Sequence, residues 1–500
     1  GNAATLTLAS PGATNSLGSF KNYVIDTTAP TVTITGDQGD SGSITNASVI
    51  TLSIDVDETP TGFAASDVLY SSAGDGTGTF GALTATGSSP EYTITFTPDS
   101  SDTYTFSVAQ ESFTDAVGNN NDASNNFEWQ YDGTVPTVTG VIVAGGDDNY
   151  KEDEDVTIEV TFSEAVNVTD TPTLALNTNA TASYTDGDGT ATLTFTYTVG
   201  EGQNTSDLDY AATTSLSGTI KDLYGNDANL TLASPGAEGS ISQGGDVVID
   251  TTAPIVSEEV AVSTPSNNVT PSLTINSNEV GAISASNTLT GDVTAEVGNN
   301  TITFDTLDAG SYDSATVTVT DAAGNETTIT LTTFVIDTTS PAAFQSTTVV
   351  STGGTVVSTY YNSTNTGVSV TTPIASNDSS LIGGTLQIEA KVGADGTYEE
   401  IGDEAAITDS GTQVVSLSTV EGLGSFDEGV VLYFRAIITD SAGNATTGTA
   451  STTTLTVDET PASVSAFSMD DVALQSGDTA TVTLTFNEAV TGFNSDDDIT

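Results

Sequence analysis

The chain of 500 residues carries 67 acidic side chains against 5 basic ones, has no histidine and no cysteine, and bears a net charge of −62. Such a surface repels nucleic acid phosphates and anionic lipid heads, and the missing thiols and imidazoles exclude disulfides, the usual zinc or copper centres and Cys- or His-dependent nucleophiles. Only oxygen donors remain, which suit calcium or magnesium, and with 36% hydrophobic against 14% charged residues the chain reads as folded.

One stretch, Val24-Ile25-Asp26-Thr27-Thr28-Ala29-Pro30, recurs as Ile249 to Pro254 and Ile336 to Pro341, and in looser form as Tyr131 to Pro136 and Val457 to Pro461. Each copy ends an apolar run on an aspartate, adds a few small or polar residues, and places a proline before the next run. Proline fixes its own φ and drives the preceding residue into the extended region, so the copies are stiff joints between strands. Leu6 to Ala13 is identical to Leu230 to Ala237, and the same offset carries Asp26 onto Asp250. The repeat predicts four complete domains, 27–132, 133–250, 251–337 and a divergent 338–458, with 1–26 as the tail of a preceding unit and 459–500 as the front of a following one. The chain is accordingly expected to be a segment of a longer protein.

After the first joint, alternation of apolar and polar residues predicts strands at Thr31 to Ile34, Val49 to Val56, Tyr92 to Thr97, Tyr104 to Val108 and Phe127 to Tyr131. The second domain offers Val156 to Phe162, Ala191 to Val199 and Val247 to Ile249. The third offers Leu273 to Ile275, Thr301 to Phe304, Ala315 to Thr320 and Thr328 to Val335. The fourth offers Gly367 to Val370, Thr385 to Ala390, Val430 to Ile438 and Thr452 to Val457. No long helical period interrupts them, and no run of about 18 apolar residues could span a bilayer. Several short strands per hundred residues, bounded by turns, predict an all-β chain of two-sheet sandwiches.

The segments Thr157 to Val166 (TIEVTFSEAV), Asp321 to Asn325 (DAAGN) and the DTTAP joints resemble the bacterial immunoglobulin-like domains repeated in giant secreted adhesins and biofilm proteins. The resemblance runs along the whole chain and is weakest in the fourth domain. It implies tandem immunoglobulin-like β-sandwich domains in an end-to-end rod, serving as extenders that calcium stiffens at the joints, with any adhesive domain elsewhere in the parent protein.

Each complete domain holds an Asp-x-x-Gly-Asn loop before its last strand: Asp115 to Asn119, Asp222 to Asn226, Asp321 to Asn325 and Asp440 to Asn444. Read plainly, this is a tight turn in which Gly supplies φ > 0 and Asp and Asn bond the local backbone. In an immunoglobulin-type sandwich, however, that loop lies where the chain enters, beside the loop after the second strand, and that second loop also carries an acid. The expected sets are Asp26 with Glu58, Asp115 and Asn119; Asp132 with Glu164, Asp222 and Asn226; and Asp250 with Glu279, Asp321 and Asn325. The fourth joint offers Asp337, Asp440 and Asn444, with Asp378 as a substitute acid, and Asp458 pairs with Glu488 at the fifth. Clustered carboxylates repel unless a cation sits among them, and calcium takes six to eight oxygens in a flexible geometry, so Ca2+ is the expected occupant, with solvated turns as the alternative.

Acids at the opposite pole, Asp99, Asp102, Asp153, Asp207 and Asp209, could complete a shell from the preceding domain or be solvated loop charge. Phe127, Trp129 and Tyr131 read as core, with a sugar platform as the alternative. Lys21, Lys151, Lys221 and Lys391 recur at no common position, so no systematic lysine crosslink is expected.

The sequence thus predicts a non-enzymatic extender of a large extracellular adhesin or matrix protein on a bacterial cell surface, with calcium as partner and glycans or matrix proteins bound by regions outside it. A catalytic carboxylate pair should occur once, whereas these acids recur. The alternatives are a glycan- or protein-binding module in the fourth domain and a structural subunit of an extracellular filament or sheath.

Overall fold

The computed structural model describes residues 4, 7–20, 25–87, 90–291, 293–418 and 420–494; Leu6, Lys21 and Val24 lie outside them. Among the described residues the regular structure is almost entirely strand, and the two short α-helices, Leu17–Phe20 and Ile241–Gly244, each follow a copy of the LTLASPGA repeat. Two compact units divide it, 1–252 with 323–325, and 253–322 with 326–500. The first unit holds two hydrophobic cores, drawn from 32–129 and 141–249, and the second holds two more, from 262–336 and 349–457.

The first core lies between two sheets. One pairs Val32–Gly36, Ile50–Val56 and Glu91–Pro98 with the short Gly78–Phe80 and Thr84–Ala85; the other orders Ser43–Thr45, Phe127–Tyr131, Asp102–Val108 and Val68–Ser72. Alternation does the work: Ile50, Leu52, Ile54 and Val56 point inward from one strand and Tyr104, Phe106 and Val108 from the facing sheet, while the Thr and Ser between them face out. Phe96 meets Phe106 edge-on at 5.0 Å, and buried Trp129 donates its indole N–H to Thr45 Oγ1 at 3.0 Å. Phe127 and Trp129 are core residues.

The second sandwich differs from the two-sheet expectation. Its strand Asp155–Val168 pairs with Val138–Val143 and Thr190–Thr198 along its first part, bulges between Thr161 and Val166, and then pairs with Ile220–Asp222. One seven-stranded sheet therefore bends around the core, closed by the two-stranded ribbon of Asp148–Tyr150 and Val247–Ile249.

In the second unit, Ser272–Ser277 lies between Val256–Val260 and Gly298–Thr303, facing a four-stranded sheet that contains Gly281–Ala285 and Thr316–Thr320. The predicted strand Thr328 to Val335 is two strands: Glu326–Thr330 continues that sheet, Leu331 turns into the core, and Phe334–Ile336 pairs with Gly310–Tyr312. The fourth core lies between a three-stranded sheet around Gly367–Ile374 and a six-stranded one around Thr385–Val392 and Val431–Thr439. Val464–Met469 and Val482–Phe486 form a final hairpin.

Every sandwich shares one further element, a short stretch running parallel to its last strand. Ser43–Thr45 lies on Phe127–Tyr131, Asp148–Tyr150 on Val247–Ile249, Ser266 on Ile336, and Tyr360–Asn362 on Leu455–Asp458. This stretch ends beside the joint aspartate.

Candidate metal sites at the joints

The joint aspartates share a local geometry. Asp26, Asp132, Asp250 and Asp337 each accept, through Oδ1, the backbone N–H of the threonine two residues on, at 2.9–3.0 Å. This Asx turn explains the Asp-x-Thr pattern, because a short carboxylate reaches that N–H without strain. The main chain of each joint is held as well. The N–H groups of Asp132, Asp250 and Asp337 donate to the carbonyls of Thr45, Tyr150 and Ser266 at 2.9–3.0 Å. Their own carbonyls accept from the side-chain amides of Asn226 (2.9 Å), Asn325 (3.0 Å) and Asn444 (2.8 Å), as Asp26 does from Asn119 at 3.1 Å. At Asp132 in the first unit and Asp337 in the second, the peptide of the joint aspartate is thus bonded on one side to the sandwich it leaves and on the other to the one it enters.

The Asp-x-x-Gly-Asn loops are organised by their first residue. Buried Asp115 accepts the N–H groups of Val117, Gly118 and Asn119 at 2.9, 2.6 and 2.8 Å through Oδ1, and the Asn119 amide at 2.7 Å through Oδ2. Asp222 and Asp440 repeat the pattern, with Oδ1 on the N–H groups two and four residues on and Oδ2 on the asparagine amide. Burial alone would raise the Asp115 carboxyl, yet the Asn119 amide and these three N–H groups outweigh it and hold the group below its usual range. The asparagine turns its nitrogen, not its oxygen, toward the joint, because its neighbours there are a carbonyl and a carboxylate. Asn119, Asn226, Asn325 and Asn444, expected as oxygen donors, act as backbone clamps.

The structure brings the acids together. In the first unit, Asp26, Glu58 and Asp115 each offer a carboxylate oxygen within 4.8 Å of the others, and so do Asp132, Glu164 and Asp222. Burial raises Glu58 above its ordinary value, with Asp115, Asp26 and Asp57 adding to it; Glu164 is raised by burial, then by Asp132 and Asp222. Neither ion pair, Lys221 with Asp227 or Arg435 with Glu389, draws on these six acids. Glu164 sits inside the Asp155–Val168 strand at its bulge, where a loop was expected; the bulge turns its side chain to the joint. The third set divides: Asp250 and Asn325 belong to the first unit, Glu279 and Asp321 to the second. In the second unit, Asp337 meets the loop of Asp440 and Asn444, while Asp378 caps the Ser379–Leu381 turn by accepting from Ser380 N at 3.1 Å. Glu488 is raised by burial, then by Asp458 and Glu428, and its Oε1 is a buried atom without a hydrogen-bond partner among the described residues.

Three acids of the opposite pole are committed to their own turns, while Asp207, raised by burial and then by Asp246 and Asp209, keeps a buried Oδ1 without a hydrogen-bond partner among the described residues. Asp102 accepts from Gly74, Gly76 and Thr103, Asp99 from Thr77, and Asp209 from Tyr210, Gly236 and Ser242. What reaches a joint from the preceding sandwich is instead Asn46, Lys151 or Asn267, none of which the sequence assigned to a joint.

Among the described residues no helix is long and apolar enough to cross a membrane. A comparison with curated proteins finds no match. Among solved structures, the chain is similar to surface layer protein SbsC, domains 1–6, at 12% identity over 89% of this chain and 56% of that one, with a TM-score of 0.18. It is also similar to domains 4–9 of SbsC (14% identity, 93% and 72% covered, TM-score 0.15) and to native E. coli alpha-2-macroglobulin (8% identity, 89% and 34% covered, TM-score 0.16). This chain thus spans little more than half of the first, and likeness at such TM-scores carries no argument about fold or role. Residues 26–131, from the first joint aspartate to the end of the last strand of the first sandwich, match the family model described as bacterial Ig-like domain.

Proposed function

We propose that the chain is an extender segment of a large extracellular bacterial adhesin or matrix protein, non-enzymatic, with calcium bound at the joints between its sandwiches. The observation that carries this reading is the convergence of Asp132, Glu164 and Asp222 within 4.8 Å, repeated by Asp26, Glu58 and Asp115. The donors fit a hard cation: all are oxygens, each trio carries three formal negative charges, and burial and crowding push each glutamate toward protonation unless a positive charge joins it. Calcium would be held by these carboxylates together with water or carbonyl oxygens, and would supply charge neutralisation there. Magnesium, which demands a tighter octahedral shell, fits loops of mixed origin less well. Repetition of the acids at equivalent positions supports a structural role over a catalytic one.

The test is thermal unfolding of the whole chain in chelator, calcium and magnesium at fixed ionic strength. At free calcium about a hundred times the dissociation constant, each site should add roughly 2.7 kcal/mol to the assembled joint. Magnesium should give much less. Three superimposable curves would refute the sites and leave the loops as turns.

One observation favours a second reading, a glycan- or protein-binding module in the fourth sandwich. Two of the chain's five basic residues, Lys391 and Arg435, stand on one face of its six-stranded sheet against Tyr398 and Tyr433, the guanidinium 3.9 Å above the Tyr398 ring. A glycan array probed with the whole chain and with the Tyr398→Ala variant separates the two; binding lost in the variant would favour the module.

A further inference from the structure

We infer that the residue opposite the joint aspartate, directly after the short parallel stretch, is a latch that seats the first sandwich on the Asp-x-x-Gly-Asn loop of the second and the third sandwich on that of the fourth. The placement follows from the backbone. The carbonyls of Thr45, Tyr150 and Ser266 accept the N–H groups of the joint aspartates Asp132, Asp250 and Asp337, so Asn46, Lys151 and Asn267 are carried one residue further, to the face the next loop meets. All three reach it. Lys151 Nζ donates to the Gly324 carbonyl at 2.9 Å, within the first unit. The Asn267 N–H donates to the Ala442 carbonyl at 2.9 Å, and its Nδ2 lies 3.3 Å from where a Cβ on Gly443 would stand. Asn46 Nδ2 stands at the same 3.3 Å over Gly225. In the fourth sandwich the residue opposite the joint aspartate Asp458 is Asn362, here the last of the stretch, and its amide donates to Thr355 of its own sandwich at 2.7 Å.

The chemistry of the loop says which residues fit. Its N–H groups turn inward to the aspartate: those of Tyr224 and Asn226 to Asp222, and those of Ala442 and Asn444 to Asp440. The aspartate and asparagine carbonyls are spent inside the loop, on the glycine and aspartate N–H groups, but carbonyls between them take donors from outside, Gly324 from Lys151 and Ala442 from Asn267, so the loop presents acceptors beside a carboxylate cluster. A donor that is neutral or positive is accepted there, and Asn, Lys and Asn are what the chain supplies; an acid of the same size would meet only acceptors and like charge. The loop glycine serves two ends. Gly225 and Gly443 have φ of +101° and +98°, which an L side chain rarely adopts, and a Cβ would also press on the latch amide. Gly118, at φ +102° with no latch residue over it, has nothing within 4 Å among the described residues.

The latch needs no cation, so it is tested in chelator, where its outcome is separate from whether calcium binds. The chain lacks cysteine, and introduced pairs therefore carry spin labels without background. Ser71→Cys with Thr181→Cys reports the first and second sandwiches, and Thr294→Cys with Thr412→Cys the third and fourth; all four positions are exposed. In the full chain, Asn46→Ala should broaden the first distance distribution and leave the second unchanged, and Asn267→Ala should do the reverse. Asn46→Asp should broaden the first at least as much as the alanine, whereas Asn46→Lys, which borrows the residue of the Lys151 joint, should keep it narrow. Asn46 and Asn267 are exposed, so the sandwiches themselves should stay folded, which Trp129 fluorescence checks for the first. Unchanged widths in both alanine variants, or broadening by Asn46→Lys equal to that by Asn46→Asp, would overturn the assignment.

Discussion

Replacing Glu164 by Gln separates a cation site from a cluster of solvated acids, because the two predict different responses to calcium. Glu164 lies within 4.8 Å of carboxylate oxygens on Asp132 and Asp222. At that distance two unit charges repel by ~1 kcal/mol in a water-like medium and ~3.5 kcal/mol at an effective dielectric constant of 20. Glu164 is half-buried, so the screened end applies, and relief from two neighbours is worth about 2 kcal/mol. In chelator, Glu164→Gln should therefore raise the melting temperature of the second sandwich, by on the order of 10 °C. In calcium the same change removes one charged donor. If the site weakens tenfold from a starting point of a hundred times its dissociation constant, the calcium-induced gain falls from about 2.7 to about 1.4 kcal/mol. Scanning calorimetry of both proteins in both conditions supplies the four numbers. A variant less stable than the parent in chelator, or one that gains as much from calcium, would refute the reasoning.

Two further outcomes are expected. Glu389 is buried and bonded to Arg435, whose side chain keeps 30% exposure, so Arg435→Ala should cost about 2 kcal/mol in urea unfolding, below the ~3–5 typical of a fully buried pair; no measurable loss would mean the carboxylate finds water. Tyr210 and Tyr361 are pushed up to about 12, each first by burial and then by Asp209 and Glu421 respectively. Their folded values lie above the unfolded value of ~10, so the stability they contribute is intact below pH ~10 and lost as pH rises through 12, by roughly 2 kcal/mol each. Tyrosinate absorbance during alkaline unfolding checks this, and a single titration near pH 10 with no loss of structure would contradict it.

The strands that alternation reveals are those buried on one face throughout, such as Ile50–Val56 and Val431–Thr439. Alternation misled where the chain changes sheets: Thr328 to Leu331 alternates, but Thr332-Thr333 breaks the period, and there one pairing ends before Leu331 and another begins at Phe334. Val138–Val143 escaped because Gly140 sits at a register shift, and Thr173–Ala175 because three residues hold too little pattern. The acids of the joints were legible as repeated residue types at repeated offsets. The latch was not. Its occupants differ in type, sit after stretches too short to read, and meet partners far along the chain, 173 residues away for Lys151 and Gly324.

The roles within each joint follow from which atom faces which, and residue type alone leaves that open. An Asp and an Asn four residues apart read equally well as two metal ligands or as a turn. The structure divides the work: Asp115, Asp222 and Asp440 spend one oxygen on backbone N–H groups, and their asparagines spend nitrogen on the joint carbonyl. Four asparagines do this at 2.8–3.1 Å, including Asn444, whose joint lacks the second-loop glutamate. The main chain of the joint is therefore fixed by bonds that do not depend on the glutamate, and the glutamate sets the negative charge. A cation at such a joint would act on stability through charge, while the direction of the chain is already held by neutral hydrogen bonds. It follows that Asn226→Ala should loosen its joint in chelator and in calcium alike, whereas Glu164→Gln should leave the joint's direction held in both and change only stability and its response to calcium. If Asn226→Ala proved silent in chelator, the backbone clamp would be a consequence of the joint's geometry and not its cause.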